Sequence, residues 1–196
     1  MGIGCAMTIA KPLIRKAVFL DRDGVINRAV VRDGKPYPPD SLDTLVLLPS
    51  VHEAMTLLKQ AGFLLIVVTN QPDVARGTTP VVVVEAIHAD LMRCLPIDDI
   101  RCCLHSDEDH CDCRKPKPGA LLAAARDHRI GLPMSFMVGD RWRDIDAGHA
   151  AGVRTILLDY AYCEQAPSRL PDYVCHSLLD AARWILSQKI MEQDIS

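Results

Sequence analysis

Apolar positions along the chain fall into two kinds of run. The first kind is short and continuous: Ala17–Leu20, Phe63–Thr69, Ile100–Leu104, Ser135–Val138 and Val153–Leu158, with a weaker one near Tyr173–Val174. Such runs predict strands covered on both faces, the habit of a parallel sheet. The second kind follows a helical period. It predicts helices over Ser50–Ala61, closed by Gly62, and from Thr79-Pro80 to about Leu95. Further helices are expected over Pro118–His128, closed near Gly131, over Arg143–Ala151, closed by Gly152, and over Leu178–Ile190. The VVVV run at 81–84 favours a strand locally, but the spacing of Val84, Ile87, Leu91 and Leu95 predicts a helix. Strands alternating with helices imply right-handed βαβ units in an α/β fold with a doubly wound, mostly parallel sheet. No internal repeat or low-complexity tract divides the chain, so a single domain over residues 1–196 is expected. The one long irregular segment is Arg28–Leu48, and a loop of that length in a compact domain is usually functional or disordered.

Composition narrows the partners. A net charge of −3, with basic residues scattered apart from Arg114, Lys115 and Lys117, gives no electrostatic reason to expect nucleic acid or an anionic membrane. No apolar run reaches the roughly 18 residues that a membrane-spanning helix needs. The opening MGIGCAMTIAKPLIRK is too short and too weakly apolar for a signal peptide. Gly2 does not complete a myristoylation pattern, because position 6 is Ala rather than Ser or Thr. A cytoplasmic chain is expected, and a monomer, since no coiled-coil pattern appears. Cysteine usage changes the picture further. Of eight cysteines, Cys102, Cys103, Cys111 and Cys113 fall within twelve residues, which in a reducing compartment reads as a metal site. The isolated Cys5, Cys94, Cys163 and Cys175 read as small hydrophobes or incidental thiols.

Ligands of open α/β sheets bind beyond the carboxyl ends of the strands. Three predicted strand ends carry polar signals: Asp21-Arg22-Asp23-Gly24, Thr69-Asn70-Gln71, and Gly139-Asp140 with Asp144 following. A basic element, Cys113-Arg114-Lys115-Pro116-Lys117, opens the helix at Pro118, where the helix end adds partial positive charge. Taken alone, each is an ordinary turn or cap. Together they point to a Mg²⁺ and phosphate site, since clustered carboxylates repel unless a cation offsets them. Residues two apart on a strand share a face, so Asp21 and Asp23 are expected to point into one site, with Gly24 turning the chain away.

The second constellation is CCLHSDEDHCDC at 102–113. Cys103-x-His105 and Cys111-x-Cys113 supply four ligands, a complete tetrahedral zinc shell with no open position, and so a structural Zn²⁺ site. Cys102 and His110 are neighbours that confuse the assignment. His52, His88, His128, His149 and His176 lie on or beside helices and read as structural or surface residues.

The set DRDGVIN at 21–27, TNQ at 69–71, CRKPKPG at 113–119 and VGDRWRD at 138–144 resembles the haloacid dehalogenase-like (HAD) phosphohydrolases over roughly residues 16–160. The resemblance implies that Asp21 attacks phosphorus and that Asp23 is general acid and base. Thr69 and Lys115 would hold the phosphoryl oxygens. Asp140 would complete a Mg²⁺ shell with Asp21 and the Asp23 backbone carbonyl, and Asp144 would act behind it. Arg22, Asn70, Gln71 and Arg114 would contact substrate. The Cys/His loop beside CRKP is similar to the subgroup of heptose-bisphosphate and histidinol phosphatases, which have no large cap domain. The expected activity is removal of the 7-phosphate from a heptose 1,7-bisphosphate through an aspartyl phosphate. Alternatives are histidinol phosphate or another small ester as substrate, or a non-catalytic zinc-stabilised phosphate-binding module. Three departures touch specificity: Pro72-Asp73 follow TNQ where the heptose enzymes commonly have Ser-Gly, the zinc loop is shorter than in some members, and the segment after Asn27 is longer.

Overall fold

The computed structural model describes residues 14–193; Gly2 and Cys5 lie outside the described residues. The strands are β1 (Ala17–Leu20), β2 (Val30–Arg32), β3 (Lys35–Tyr37), β4 (Leu64–Asn70), β5 (Asp99–Cys103), β6 (Phe136–Gly139), β7 (Arg154–Leu158) and β8 (Tyr173–Cys175). The helices are α1 (Val51–Gln60), α2 (Val81–Cys94), α3 (Gly119–His128), α4 (Trp142–Ala151) and α5 (Leu178–Gln193). Six strands form one parallel sheet in the order β5-β4-β1-β6-β7-β8, as expected from the alternation of strands and helices. The chain works outward from β1 to β5, then returns to the other side of β1 and works outward to β8. The strand order therefore reverses between β1 and β6, where doubly wound sheets bind ligands.

The apolar runs are continuous because both faces of each central strand are covered. Val18 and Leu20 of β1 join a core with α1, α2 and α5, while Ala17 and Phe19 join a second core with α3 and α4. Burying Val18, Phe19 or Leu20 contributes roughly 1.5–3 kcal/mol each. Helix α2 forms despite its four valines, because Val84, Ile87 and Leu91 make one buried stripe. Gly62 and Gly152 end α1 and α4 at positive φ, as expected. Helix α3 ends at His128, as expected, but the left-handed residue that closes it is Arg129, at φ 56°, rather than a glycine near 131.

Residues 28–48 are not wholly irregular. Strands β2 and β3 pair antiparallel around Asp33-Gly34, both at positive φ, and a short 3₁₀ turn follows at Leu42–Thr44. Asp-Gly supplies the left-handed pair that a two-residue hairpin demands. The small hairpin and the 3₁₀ turn are the regular elements between β1 and α1, in place of a large cap. Among the described residues, no helix is long and apolar enough to cross a membrane.

Candidate active site and cysteine–histidine centre

Register brings the strand ends together. Leu20 lies opposite Val67 of β4 and Val138 of β6, so Asp21, Thr69 and Asp140 emerge at one edge of the sheet. Asp21 is fixed by its own N–H, which donates to the Val138 carbonyl at 2.9 Å. Lys115 reaches into the same place from the turn before α3. Its Nζ lies 2.9 Å from Asp21 Oδ1 and 2.6 Å from Asp144 Oδ1, and it donates to the Val68 carbonyl at 2.6 Å. Burial pulls the Lys115 ammonium down, but Asp144 and Asp21 outweigh it and hold it above its usual value. Burial raises Asp21 to about 6, against the pull of Lys115 and with the repulsion of Asp144 and Asp23.

Asp21, Asp140 and Asp144 each offer an oxygen, and these lie within 4.8 Å of one another. Three carboxylates against one ammonium leave two negative charges. Both oxygens of Asp140 are buried and accept no hydrogen bond. Burial, then the charges of Asp21 and Asp144, push Asp140 well above the usual carboxylate range. An uncompensated buried carboxylate pair of this kind is costly, and a hard divalent cation with oxygen ligands fits it. Two glycines make the space. At Gly24, φ +86°, a Cβ would overlap the Asp140 carboxylate, and at Gly139 it would overlap Asp144.

The expected substrate contacts divide. Arg114 is on the pocket wall, 8% exposed; Asp107 accepts from its Nε at 2.8 Å, and its Nη1 is left without a partner. Arg114 in turn holds the Asp107 carboxyl down to about 2. Thr69 faces the pocket, and its Oγ1 accepts from Gln71 Nε2 at 2.9 Å, leaving its O–H to donate elsewhere. Asn70 also lines the pocket, but its amide is engaged with the Lys115 backbone in both directions, at 3.0 and 3.1 Å. Arg22 and Gln71 were expected at the substrate, and neither lines the pocket. Arg22 is fully enclosed and forks onto Asp23 at 2.8–3.1 Å; Gln71 donates to Asp23 Oδ2 at 2.8 Å. The alternation of the chain turns Arg22 beneath Asp23 rather than toward solvent. Residues the sequence did not single out complete the site: Asn27 on Asp23, Asp107 and Arg143 beside Arg114, and Lys35–Pro38 of the hairpin forming an opposing wall.

The second centre lies directly behind the basic turn. Cys113 Sγ stands 3.4 Å from His105 Nδ1 and 3.5 Å from Cys111 Sγ; Cys103 Sγ stands 3.6 Å and 3.7 Å from the same two atoms. Those separations are far too long for a disulfide. They match a tetrahedron around zinc, where Zn–S near 2.3 Å and Zn–N near 2.0–2.1 Å give edges of about 3.6–3.8 Å. Thiolate and imidazole are donors for zinc and poor ligands for Mg²⁺. The Gln71 N–H donates to the Cys103 carbonyl at 2.7 Å, tying this loop to the end of β4.

A family model described as "HAD-hyrolase-like" matches residues 112–181. D-glycero-beta-D-manno-heptose-1,7-bisphosphate 7-phosphatase of Pseudomonas putida is 38% identical over 148 residues, 73% of this chain and 82% of that protein. The protein of the same name from Escherichia coli K12 is 36% identical over 189 residues, 88% of this chain and 95% of the other. Among solved structures, D,D-heptose 1,7-bisphosphate phosphatase from B. bronchiseptica, complexed with magnesium and phosphate, aligns with TM-score 0.71. It is 30% identical, over 88% of this chain and 99% of that one. With relatives at this identity over most of both chains, and with the sheet order and clustered carboxylates described above, the chain belongs to the haloacid dehalogenase-like (HAD) hydrolases.

Proposed function

We propose that this chain is a Mg²⁺-dependent phosphomonoesterase that removes the 7-phosphate of D-glycero-D-manno-heptose 1,7-bisphosphate. The observation that carries the reading is the pocket-facing Asp21 carboxylate, 2.9 Å from a buried ammonium and beside the two unpartnered oxygens of Asp140. Asp21, Asp140 and the Asp23 backbone carbonyl would hold the cation. When bound, Mg²⁺ offsets the repulsion between a carboxylate nucleophile and a phosphate dianion.

The Asp21 carboxylate oxygen attacks phosphorus and the ester P–O bond breaks. Asp23 delivers its proton to the departing sugar oxygen, an aid worth typically ~10²–10⁴-fold. Lys115 and the Thr69 hydroxyl bind the phosphoryl oxygens as charge builds on them. Asp23, now ionised, takes a proton from water, whose oxygen attacks the aspartyl phosphate. The Asp21–phosphate bond breaks, releasing inorganic phosphate and the free carboxylate. Asp144 keeps Lys115 aimed at this centre. Lys35, Arg76, Arg114 and Arg143 line the pocket and supply the positive charge that a second phosphate calls for. The Cys/His centre is a structural Zn²⁺ site that fixes Arg114 and Lys115.

Substrate choice is tested by steady-state kcat/KM on both anomers of the heptose bisphosphate and on histidinol phosphate. A heptose bisphosphate is expected to lead by about tenfold or more, the range that a few specific contacts provide. A lead for histidinol phosphate, or no phosphate released from any of them with Mg²⁺ present, overturns the reading.

A further inference from the structure

We propose that His88 of α2, acting through Arg22, is a positioning residue for the Asp23 carboxylate. The inference rests on the reading of Asp23 as proton donor and acceptor. Asp23 sits in a cage of donors. Its Oδ1 accepts from Arg22 Nε at 3.1 Å, Arg22 Nη2 at 3.0 Å and Asn27 Nδ2 at 2.9 Å. Its Oδ2 accepts from Arg22 Nη2 at 2.8 Å and Gln71 Nε2 at 2.8 Å. Arg22 is thus the main support, and it is fully buried. A buried guanidinium needs acceptors on every side, and Asp23 occupies only one. On the other, Arg22 Nη1 lies 3.2 Å from His88 Nε2.

A guanidinium has no acceptor, so His88 Nε2 accepts and its ring proton sits on Nδ1. Burial, then the charge of Arg22, lowers His88 to about 4, which keeps the ring neutral and able to accept. His88 is half-buried next to Ile87, on a helix whose apolar stripe is locked against the sheet. Helix α2 contributes no residue to the pocket wall, yet this chain of contacts carries its position to the carboxylate. Removing the acceptor leaves a buried N–H unpaired and frees the fork to swing, and Asp23 with it.

The test compares His88→Phe, His88→Gln and Asp23→Asn in KM and in the single-turnover rate of leaving-group release on two esters, because the later attack of water on the aspartyl phosphate calls on Asp23 for both. Heptose bisphosphate has an alkoxide leaving group that needs a proton, whereas p-nitrophenyl phosphate has one that does not. His88→Phe is expected to lower the leaving-group release rate on the sugar ester by about 10–100-fold, with KM within about twofold and the release rate from p-nitrophenyl phosphate within about threefold, as for a small misplacement of a catalytic group. His88→Gln, whose amide oxygen accepts from Arg22, is expected to recover most of the loss. Should His88→Phe not fold, Arg22→Lys, which keeps the charge but not the fork, is expected to show the same ester selectivity. Equal losses on both esters, a loss confined to KM, no loss, or no rescue by Gln overturns the proposal. If Asp23→Asn itself lacks the ester selectivity, the acid role of Asp23 falls and this inference with it. If Asp23→Asn shows it and the His88 and Arg22 variants do not, only the positioning role falls.

Discussion

Two clusters of side chains that could hold a metal stand on either side of the Arg114-Lys115 turn, and they are built to opposite rules. The Cys/His centre presents three thiols and an imidazole, with four of their separations at 3.4–3.7 Å, a set that would close a tetrahedral shell and leave no position for a substrate. The carboxylate centre presents Asp21, Asp140 and Asp144 around one ammonium, with excess negative charge and two buried oxygens unpartnered. The first has the form of a site that holds a loop, the second of a site that receives a charged ligand. On the proposed reading the chain separates support from reaction: one centre would gain stability from a saturated metal shell, and the other keeps an excess of negative charge that a cation would offset and through which a phosphate could then approach.

Substitution of one residue in each centre should therefore move stability in opposite directions. Cys111→Ser is expected to lose zinc and more than about 4 kcal/mol of stability, the scale typical of a lost structural metal. Asp140→Asn in the Mg²⁺-free protein is expected to raise stability at neutral pH, since it removes a carboxylate whose charge is disfavoured by burial and by Asp21 and Asp144, while abolishing turnover. Melting curves with metal analysis check both, and an Asp140→Asn protein less stable than its parent would contradict the proposed excess of negative charge.

A smaller effect follows from pH. The folded-state pKa of Asp21, about 6, lies above the ordinary 3.8, so the folded Mg²⁺-free protein binds this proton more tightly than the unfolded chain does. Its contribution to stability is present at low pH and is lost as pH rises through about 6. Mg²⁺ requires the ionised carboxylates. The rise in Tm caused by saturating MgCl₂ should accordingly be small at about pH 5 and several degrees larger at about pH 8. Equal rises at the two pH values would show that the cation does not bind at these carboxylates.

Much of this was legible in the sequence because the central strands are covered on both faces and end in polar residues. Continuous apolar runs gave away the sheet, and the polar ends at Asp21, Thr69 and Asp140 gave away the edge where these side chains gather. The spacing Cys-x-His and Cys-x-Cys gave away the second centre, since ligands one residue apart converge with little help from the rest of the fold. What stayed hidden depends on tertiary contact. Arg22, beside two carboxylates, reads as a substrate contact, but the fold turns it inward onto His88, a pairing of residues 66 apart that no local pattern announces. The β2–β3 hairpin escaped because its strands have three residues each and one contains Pro36, although Asp33-Gly34 was a readable turn signal.

The most direct test of the proposed chemistry is a crystal structure with Mg²⁺ and beryllium fluoride, which mimics a phosphoryl group on a carboxylate. Beryllium is expected bonded to a side-chain oxygen of Asp21, with Lys115 and Thr69 on the fluorides and Asp140 on the cation. An adduct on any other side chain, or none on Asp21 with the pocket otherwise filled, would contradict Asp21 as the nucleophile.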